Sequence, residues 1–237
     1  MRALVCLPTY DERENLEPML RALGEVLGPD DAVLVIDDNS PDGTGELADR
    51  LSAELPFVDV LHRERKDGLG RAYVAGFEVA LERGAELVLE LDCDFSHDPR
   101  DIPRLIAAAA DADLVLGSRY VPGGGVRDWG LVRRLISRAA SIYTRLLLMP
   151  VHDSTGGFKC FRREVLERLD LDEITSRGYM FQIETTFRVR RLGFRVVEIP
   201  ITFADREVGG SKMTGSIVAE AIWKVPALRL AALRGRV

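Results

Sequence analysis

Five short apolar runs alternate with stretches of helical periodicity through the first half of the chain, and few folds accept that alternation. Ala3–Leu7, Ala32–Ile36, Val58–Leu61, Leu87–Leu91 and Leu114–Gly117 read as strands. Between them, Asn15–Leu27, Gly45–Glu54, Ala72–Glu82 and Ile102–Ala110 read as helices. Strands joined through helices build βαβ units, hence a mostly parallel sheet covered by helices on both faces. The expected fold class is α/β. Ligands of such sheets bind outside the carboxyl ends of the strands.

The polar residues gather where that rule points. Pro8-Thr9-Tyr10-Asp11-Glu12 follows the first run, Asp37-Asp38-Asn39-Ser40 the second, and Lys66-Asp67 comes shortly after the third. Asp92-Cys93-Asp94 follows the fourth and Ser118-Arg119 the fifth. In an extended backbone, side chains at i and i+2 share a side. Asp92 and Asp94 are therefore expected to converge on one hard divalent cation, Mg2+ or Mn2+, whose shell substrate phosphates and water would complete. Ser96 continues the i, i+2 series as a third oxygen. The competing reading of Ser96 is a cap for the helix beginning near Asp98-Pro99. His97 reads as structural, since hard cations prefer oxygen. Pro8, Tyr10 and Glu12 suit a rigid turn, a stacking face and a hydrogen-bond acceptor for a nucleotide. Asp38 suits a base N–H or a ribose hydroxyl, against capping before the turn Pro41-Asp42-Gly43-Thr44.

The second half has another character. Val121–Gly125 is a Gly-rich connection, and Leu131–Met149 is helical, with Arg134, Arg138, Ser141 and Arg145 along one stripe and apolar residues elsewhere. Such a helix suits a membrane interface, or equally a buried helix with one solvated edge. Asp153–Lys159 is turn-rich, Tyr179–Arg190 helical and Arg195–Ile201 a strand. Arg119, Arg133, Arg206 and Lys212 are candidate phosphate ligands, with Arg133 and Ser137 on one helix face. The segment from Asp205 to Lys212 suits a loop that closes over phosphates. The formal charge of −6 argues against a nucleic-acid partner. Cys6, Cys93 and Cys160 have neither disulfide nor zinc spacing, which fits a reducing compartment. Neither a signal peptide nor an apolar stretch of roughly 18–20 residues is expected.

Taken together, Pro8–Leu16, Ile36–Thr44 and Asp92–His97 closely resemble the polyprenol (dolichol) phosphate mannose synthases, family 2 inverting glycosyltransferases of GT-A fold. Gly117–Tyr120, Ile136–Arg138, Ser154–Phe158, Gly178–Gln182 and the Arg206–Lys212 loop extend the resemblance from Leu4 to about Met213. It implies GDP-mannose contacts at Pro8, Tyr10, Glu12, Ile36 and Asp38, and donor and metal contacts at Asp92, Cys93 (through its backbone), Asp94 and Ser96. It also implies phosphate contacts at Arg119, Arg206 and Lys212, and an acceptor phosphate at Arg133 and Ser137. Cys93 stands where relatives commonly carry Ala, and Gly156-Gly157 where Ser-Gly is frequent.

The implied reaction is transfer of mannose from GDP-mannose to a polyprenyl monophosphate by one catalytic domain, 1–237. Residues 1–120 would be the nucleotide-sugar and metal half, and 121–237 the acceptor and membrane half. Asp92, Asp94 and Arg119 would be the catalytic residues, on the cytoplasmic face of a membrane, with contact to its surface or to a membrane-embedded partner protein. The alternatives are UDP-glucose as donor, another family 2 reaction, or a non-catalytic regulatory subunit.

Overall fold

The computed structural model describes residues 2–174, 176, 178–205 and 215–234, by their backbone alone over 215–221. The chain runs β1 (Ala3–Thr9), α1 (Arg13–Gly24), β2 (Ala32–Asp37), α2 (Thr44–Glu54), β3 (Val58–His62), α3 (Leu69–Glu82) and β4 (Leu87–Glu90). A 3-10 turn at Pro99–Asp101 precedes α4 (Ile102–Ala108), followed by β5 (Leu114–Ser118), β6 (Gly125–Val126) and α5 (Leu131–Leu147). Then come β7 (Lys159–Arg162), α6 (Arg163–Arg168), α7 (Tyr179–Arg191), β8 (Val196–Pro200), β9 (Thr202–Phe203) and α8 (Gly215–Leu233).

Among the described residues, seven strands form one sheet in the order β3-β2-β1-β4-β7-β5-β8. All neighbours are parallel except β7, which runs antiparallel to both β4 and β5. The alternation of β1 divides the core. Leu4 and Cys6 join α3, α6, α7 and α8 on one face, while Ala3, Val5 and Leu7 join α1, α2 and α4 on the other. Helix α1 shows why its segment is helical. Leu16, Met19, Leu20 and Leu23 recur at helical spacing, are fully buried, and each contributes about 1.5–3 kcal/mol on burial. Helix α3 approaches the sheet closely because Gly76 has no side chain: a Cβ there would lie 2.5 Å from Ile36 Cδ1 and 2.9 Å from Cys6 Sγ.

Three sequence expectations change. β7 begins at Lys159, the last residue of the expected turn-rich stretch, and runs on where no element was expected, because four residues with a charge at each end carry little strand signal. β4 ends at Glu90 and the chain turns through Cys93 and Asp94, with Phe95 in the left-handed region at φ 55°. Ser96 therefore does not continue an extended series. Helix α5 is inside out relative to a buried helix with a solvated edge: Ser137, Ser141 and Thr144 face the protein, while Leu131, Leu135 and Leu146 are 76%, 70% and 79% exposed.

Candidate active site

The loops leaving β1, β2 and β4 converge at the carboxyl end of the sheet. Each turns through a non-glycine residue in the left-handed region, at Asp11 (φ 57°), Asn39 (φ 58°) and Phe95 (φ 55°). Such conformations cost of order 1–3 kcal/mol each and persist where a site needs them. The loops line a cleft of 260 Å³ with Pro8, Tyr10, Glu12, Asp38, Asp92, Cys93 and Asp94. Lys66, Thr155, Gly157, Tyr179 and Gln182 complete it.

At Tyr10, the ammonium of Lys66 sits 3.4 Å from the ring centroid, so an aromatic face and a cation are presented together. The two adjacent carboxylates of the β2 loop have separate jobs. Asp37 accepts from the Ser40 hydroxyl at 2.6 Å and from its backbone N–H at 3.2 Å, and so builds the turn. Asp38 lines the cleft and pairs with Arg63. Its pKa is raised by burial, with Arg63 opposing that rise. In the turn before α2, Asp42 accepts from Thr44 N at 3.0 Å and from Thr44 Oγ1 at 2.6 Å.

Asp92 and Asp94 both reach the cleft. Tyr73 donates to Asp92 Oδ1 at 3.0 Å, and Asp94 Oδ1 accepts from the Ser96 backbone N–H at 3.0 Å. The Ser96 hydroxyl is buried with no hydrogen-bond partner among the described residues, and it lies beside the cleft rather than on its lining. Among the described residues no three His, Cys, Asp or Glu side chains cluster as a self-sufficient metal site. The two carboxylates that line the cleft, Asp92 and Asp94, are hard oxygen donors, the type that suits Mg2+ or Mn2+ completed by phosphate and water. His97 is buried between Phe158 and Phe203, with ring centroids 5.0 and 4.9 Å away. Burial lowers its pKa to about 4, so it stays neutral. Ile36 is fully buried in the core facing α3, so its side chain does not line the cleft.

A second cluster adjoins the first through Thr155, which lines the cleft and accepts from Arg119 Nη2 at 2.8 Å. Arg119 is locked in a bidentate pair with Asp153, at 2.7 Å from Nε and 2.6 Å from Nη2. Burial opposes the charge on Arg119, but Asp153 outweighs it and the guanidinium pKa rises. Glu198 fixes this arrangement by accepting from Ser118 Oγ (2.8 Å) and from the backbone of His152 (2.8 Å) and Asp153 (2.9 Å). Ser137 shares a 2.7 Å hydrogen bond with the Tyr120 hydroxyl. Arg133 lies 4.2 Å from the Trp129 ring centroid and pairs with Asp205 at 2.6 Å. Arg206 and Lys212 lie outside the described residues.

The sequence reading missed Tyr73, Asp153, Glu198, Trp129 and Gln182 as site builders. Asp153 carried a faint signal, since a buried arginine needs a counter-charge. Gln182 ends the Gly178–Gln182 stretch that carries part of the resemblance, but that stretch assigns it no role. Tyr73, Trp129 and Glu198 gave no signal, because an isolated Tyr, Trp or Glu in a helix, loop or strand reads as core or surface.

Helices α5 and α8 lie side by side, with Tyr143 donating to the Ile222 carbonyl at 3.0 Å. Their outer surface carries the exposed leucines of α5 and Trp223, which is 79% exposed. Arg134, Arg138 and Arg145 are exposed on the same helix. Among the described residues no helix is long and apolar enough to cross a membrane.

The family model described as "Glycosyl transferase family 2" matches residues 4–170. An undecaprenyl-phosphate mannosyltransferase of Micrococcus luteus is 51% identical over 233 residues, 98% of this chain and 96% of its own length. A polyprenol monophosphomannose synthase of Mycolicibacterium smegmatis is 51% identical over 94% of this chain and 85% of its own. A mannosyltransferase of Pyrobaculum calidifontis, solved with GDP-Man and Mn2+, shares the fold at TM-score 0.64 and 20% identity, over 98% of this chain and 64% of its own. Glucosyl-3-phosphoglycerate synthase of Mycobacterium tuberculosis, solved with Mn2+, UDP-Glc and phosphoglyceric acid, does so at TM-score 0.69 and 18% identity, over 96% and 79%.

Proposed function

The chain belongs to glycosyl transferase family 2, and from that premise we propose that it moves mannose from GDP-mannose to a polyprenyl monophosphate, with inversion at the anomeric carbon. The observation that carries this reading is one continuous arrangement: the Tyr10–Lys66 stack, Asp38, Asp92 and Asp94 share a cleft, and Thr155 joins it to the basic cluster at Arg119.

In this reading Tyr10, Pro8, Glu12 and Asp38 hold the nucleoside, and Asp92 and Asp94, with Ser96 beside them, hold Mg2+ or Mn2+ at the diphosphate. When bound, the ion supplies Lewis-acid neutralisation of the departing diphosphate. Cys93 contributes its backbone, because its thiol is buried and burial pushes its pKa well up. Arg119, Arg133 and Ser137 receive the acceptor phosphate. Asp153 and Asp205 already hold the two arginines in place, so little side-chain entropy remains to be lost on binding. Arg206 and Lys212 add phosphate contacts. A phosphate monoester has a second pKa near roughly 6 and is largely a dianion at neutral pH. No side chain need act as general base. Fixed charge and orientation provide the acceleration.

A prenyl chain contributes about 0.8 kcal/mol per methylene that leaves water, so the acceptor stays in a bilayer. The exposed leucines of α5 and Trp223 of α8 form the contact surface, with Arg134, Arg138 and Arg145 meeting lipid headgroups. The protein would thus sit peripherally on the cytoplasmic face of the membrane.

Donor and acceptor profiling with mass-spectrometric identification of the product tests the reaction. Mannosyl-phosphoryl-polyprenol from GDP-mannose is expected, with no product from UDP-glucose. Tighter calorimetric binding of UDP than GDP would overturn the donor assignment. Asp94→Ala is expected to abolish transfer, and undiminished activity would remove the cation from this site.

A further inference from the structure

One group bordering the cleft has hydrogen-bonding capacity that the fold leaves unused. Gln182, in the first turn of α7, is 2% exposed and lines the cleft beside Gly178, Tyr179 and Gly157. Among the described residues neither its amide oxygen nor its amide nitrogen has a hydrogen-bond partner. A buried amide left this way costs about 1–3 kcal/mol, which a fold tolerates where a ligand completes it.

The surroundings show which way the amide is open. A Cβ on Gly157 would stand 3.3 Å from Gln182 Nε2 and 3.8 Å from Asp92 Oδ2. The bare glycine therefore keeps a corridor clear between the amide and the carboxylate at the diphosphate position. Behind the amide, Glu90 and Lys159 face each other across the β4–β7 ladder, both fully buried. Lys159 Nζ donates to the Gln182 carbonyl at 3.0 Å, which ties the backbone of α7 to the centre of the sheet. The Gln182 amide is near enough to the Glu90 carboxyl to lower its pKa as a hydrogen-bond donor would, yet the two side chains fall short of hydrogen-bonding geometry and the amide stays available to a ligand.

The chemistry selects among the parts of a nucleotide-sugar. A diphosphate oxygen accepts only and leaves the amide oxygen unpaired. A sugar hydroxyl both donates and accepts, as an amide does. In a donor whose diphosphate sits at Asp92 and Asp94, the hexose is attached directly to that diphosphate, within reach of this border.

We propose that Gln182 reads the hexose of the donor, its amide donating to one sugar hydroxyl and accepting from another, with Glu90 and Lys159 as positioning residues behind it. The proposal rests on the donor reading of the cleft and adds the residue that recognises the sugar. Gly157 belongs to the same device as the position that must stay empty.

The test compares wild type with Gln182→Ala and the near-isosteric Gln182→Met, using GDP, GDP-mannose and the monodeoxy analogues of GDP-mannose. GDP affinity by calorimetry is expected to change less than about twofold, which also shows that the variants fold. Transfer from GDP-mannose, as kcat/KM, is expected to fall about 10- to 100-fold, as two ordinary hydrogen bonds would give. Wild type should discriminate against removal of one or two particular hydroxyls, and the variants should lose that discrimination at those hydroxyls alone. Glu90→Gln should weaken the same discrimination while leaving GDP binding intact. The proposal is overturned if GDP and GDP-mannose weaken together, or if every deoxy analogue keeps its wild-type penalty in both variants. Were wild type to turn over another nucleotide-sugar instead, the mannosyl reading would fail, and the same comparison between that diphosphate and its sugar would still judge Gln182.

Discussion

The hydroxyl of Tyr73 donates to Asp92 Oδ1 at 3.0 Å, joining the buried aromatic stack of α3 to a carboxylate of the cleft. Tyr73 lies 6.0 Å from Phe181 and 6.1 Å from Phe77 between ring centroids, so its hydroxyl is aimed by packing. A carboxylate oriented this way meets a cation without first choosing a rotamer.

Tyr73→Phe should retain the stack and release the carboxylate. Supporting hydrogen bonds of this kind are typically worth about 10- to 100-fold in metal affinity. Titrating Mn2+ against transfer activity is expected to show a rightward shift in that range, with GDP binding in the absence of metal unchanged.

Asp153→Ala leaves the Arg119 guanidinium buried and unpaired, because the pair is closed to solvent (5% and 0% side-chain exposure). A loss of about 3–5 kcal/mol in denaturant unfolding is expected. Replacing both residues with apolar ones, Arg119→Met with Asp153→Leu, should recover much of the stability but no transfer activity.

The Glu90–Lys159 pair predicts a pH signature. Burial raises the Glu90 carboxyl from 4.5 to about 7, and burial lowers Lys159 from 10.5 to about 8. Between pH 4.5 and 7 the unfolded chain has released the Glu90 proton that the folded chain keeps, so folded stability falls as pH rises. Between pH 8 and 10.5 the unfolded chain keeps the Lys159 proton that the folded chain has released, so stability rises again. Chemical unfolding across pH should show a minimum between about 7 and 8 relative to a Glu90→Gln, Lys159→Met double variant. A flat difference would refute it.

Leu135→Gln with Leu146→Gln should detach the protein from lipid without unfolding it, since both side chains are already exposed. Flotation with anionic vesicles is expected to drop by at least about tenfold, as each leucine contributes about 1.5 kcal/mol or more when it leaves water. Transfer to a short-chain, water-soluble acceptor should persist. If wild type also stays with the soluble fraction, a membrane-embedded partner is needed.

Much of the first half of the chain was legible because its signals are local. Five apolar runs became β1 to β5 with ends shifted by a residue or two, and the polar groups after β1, β2 and β4 do share one cleft. Position 96 was misread in its backbone, since nothing in Asp94-Phe95-Ser96 announces that Phe95 adopts a positive φ. The relationships that organise the basic cluster span long stretches of chain: Asp153 reaches Arg119, and Glu198 reaches Ser118 and His152. No window of sequence contains both partners. Helix α5 was ambiguous for a different reason. Periodicity finds the two faces of a helix but does not say which one turns inward, and here the small polar face does.

The antiparallel β7 has a consequence for how the molecule comes into being. Residues 1–120 hold the β1, β2 and β4 loops that line the cleft, yet β4 and β5 never pair with each other and are joined only when Lys159–Arg162 pair with both. During synthesis the emerging chain therefore carries a gap in the middle of its largest layer until more than half of it has been made. A fragment ending near residue 120 would expose two unsatisfied ribbon edges and aggregate, so the earlier and later portions of the chain are seamed into one body and not merely tethered.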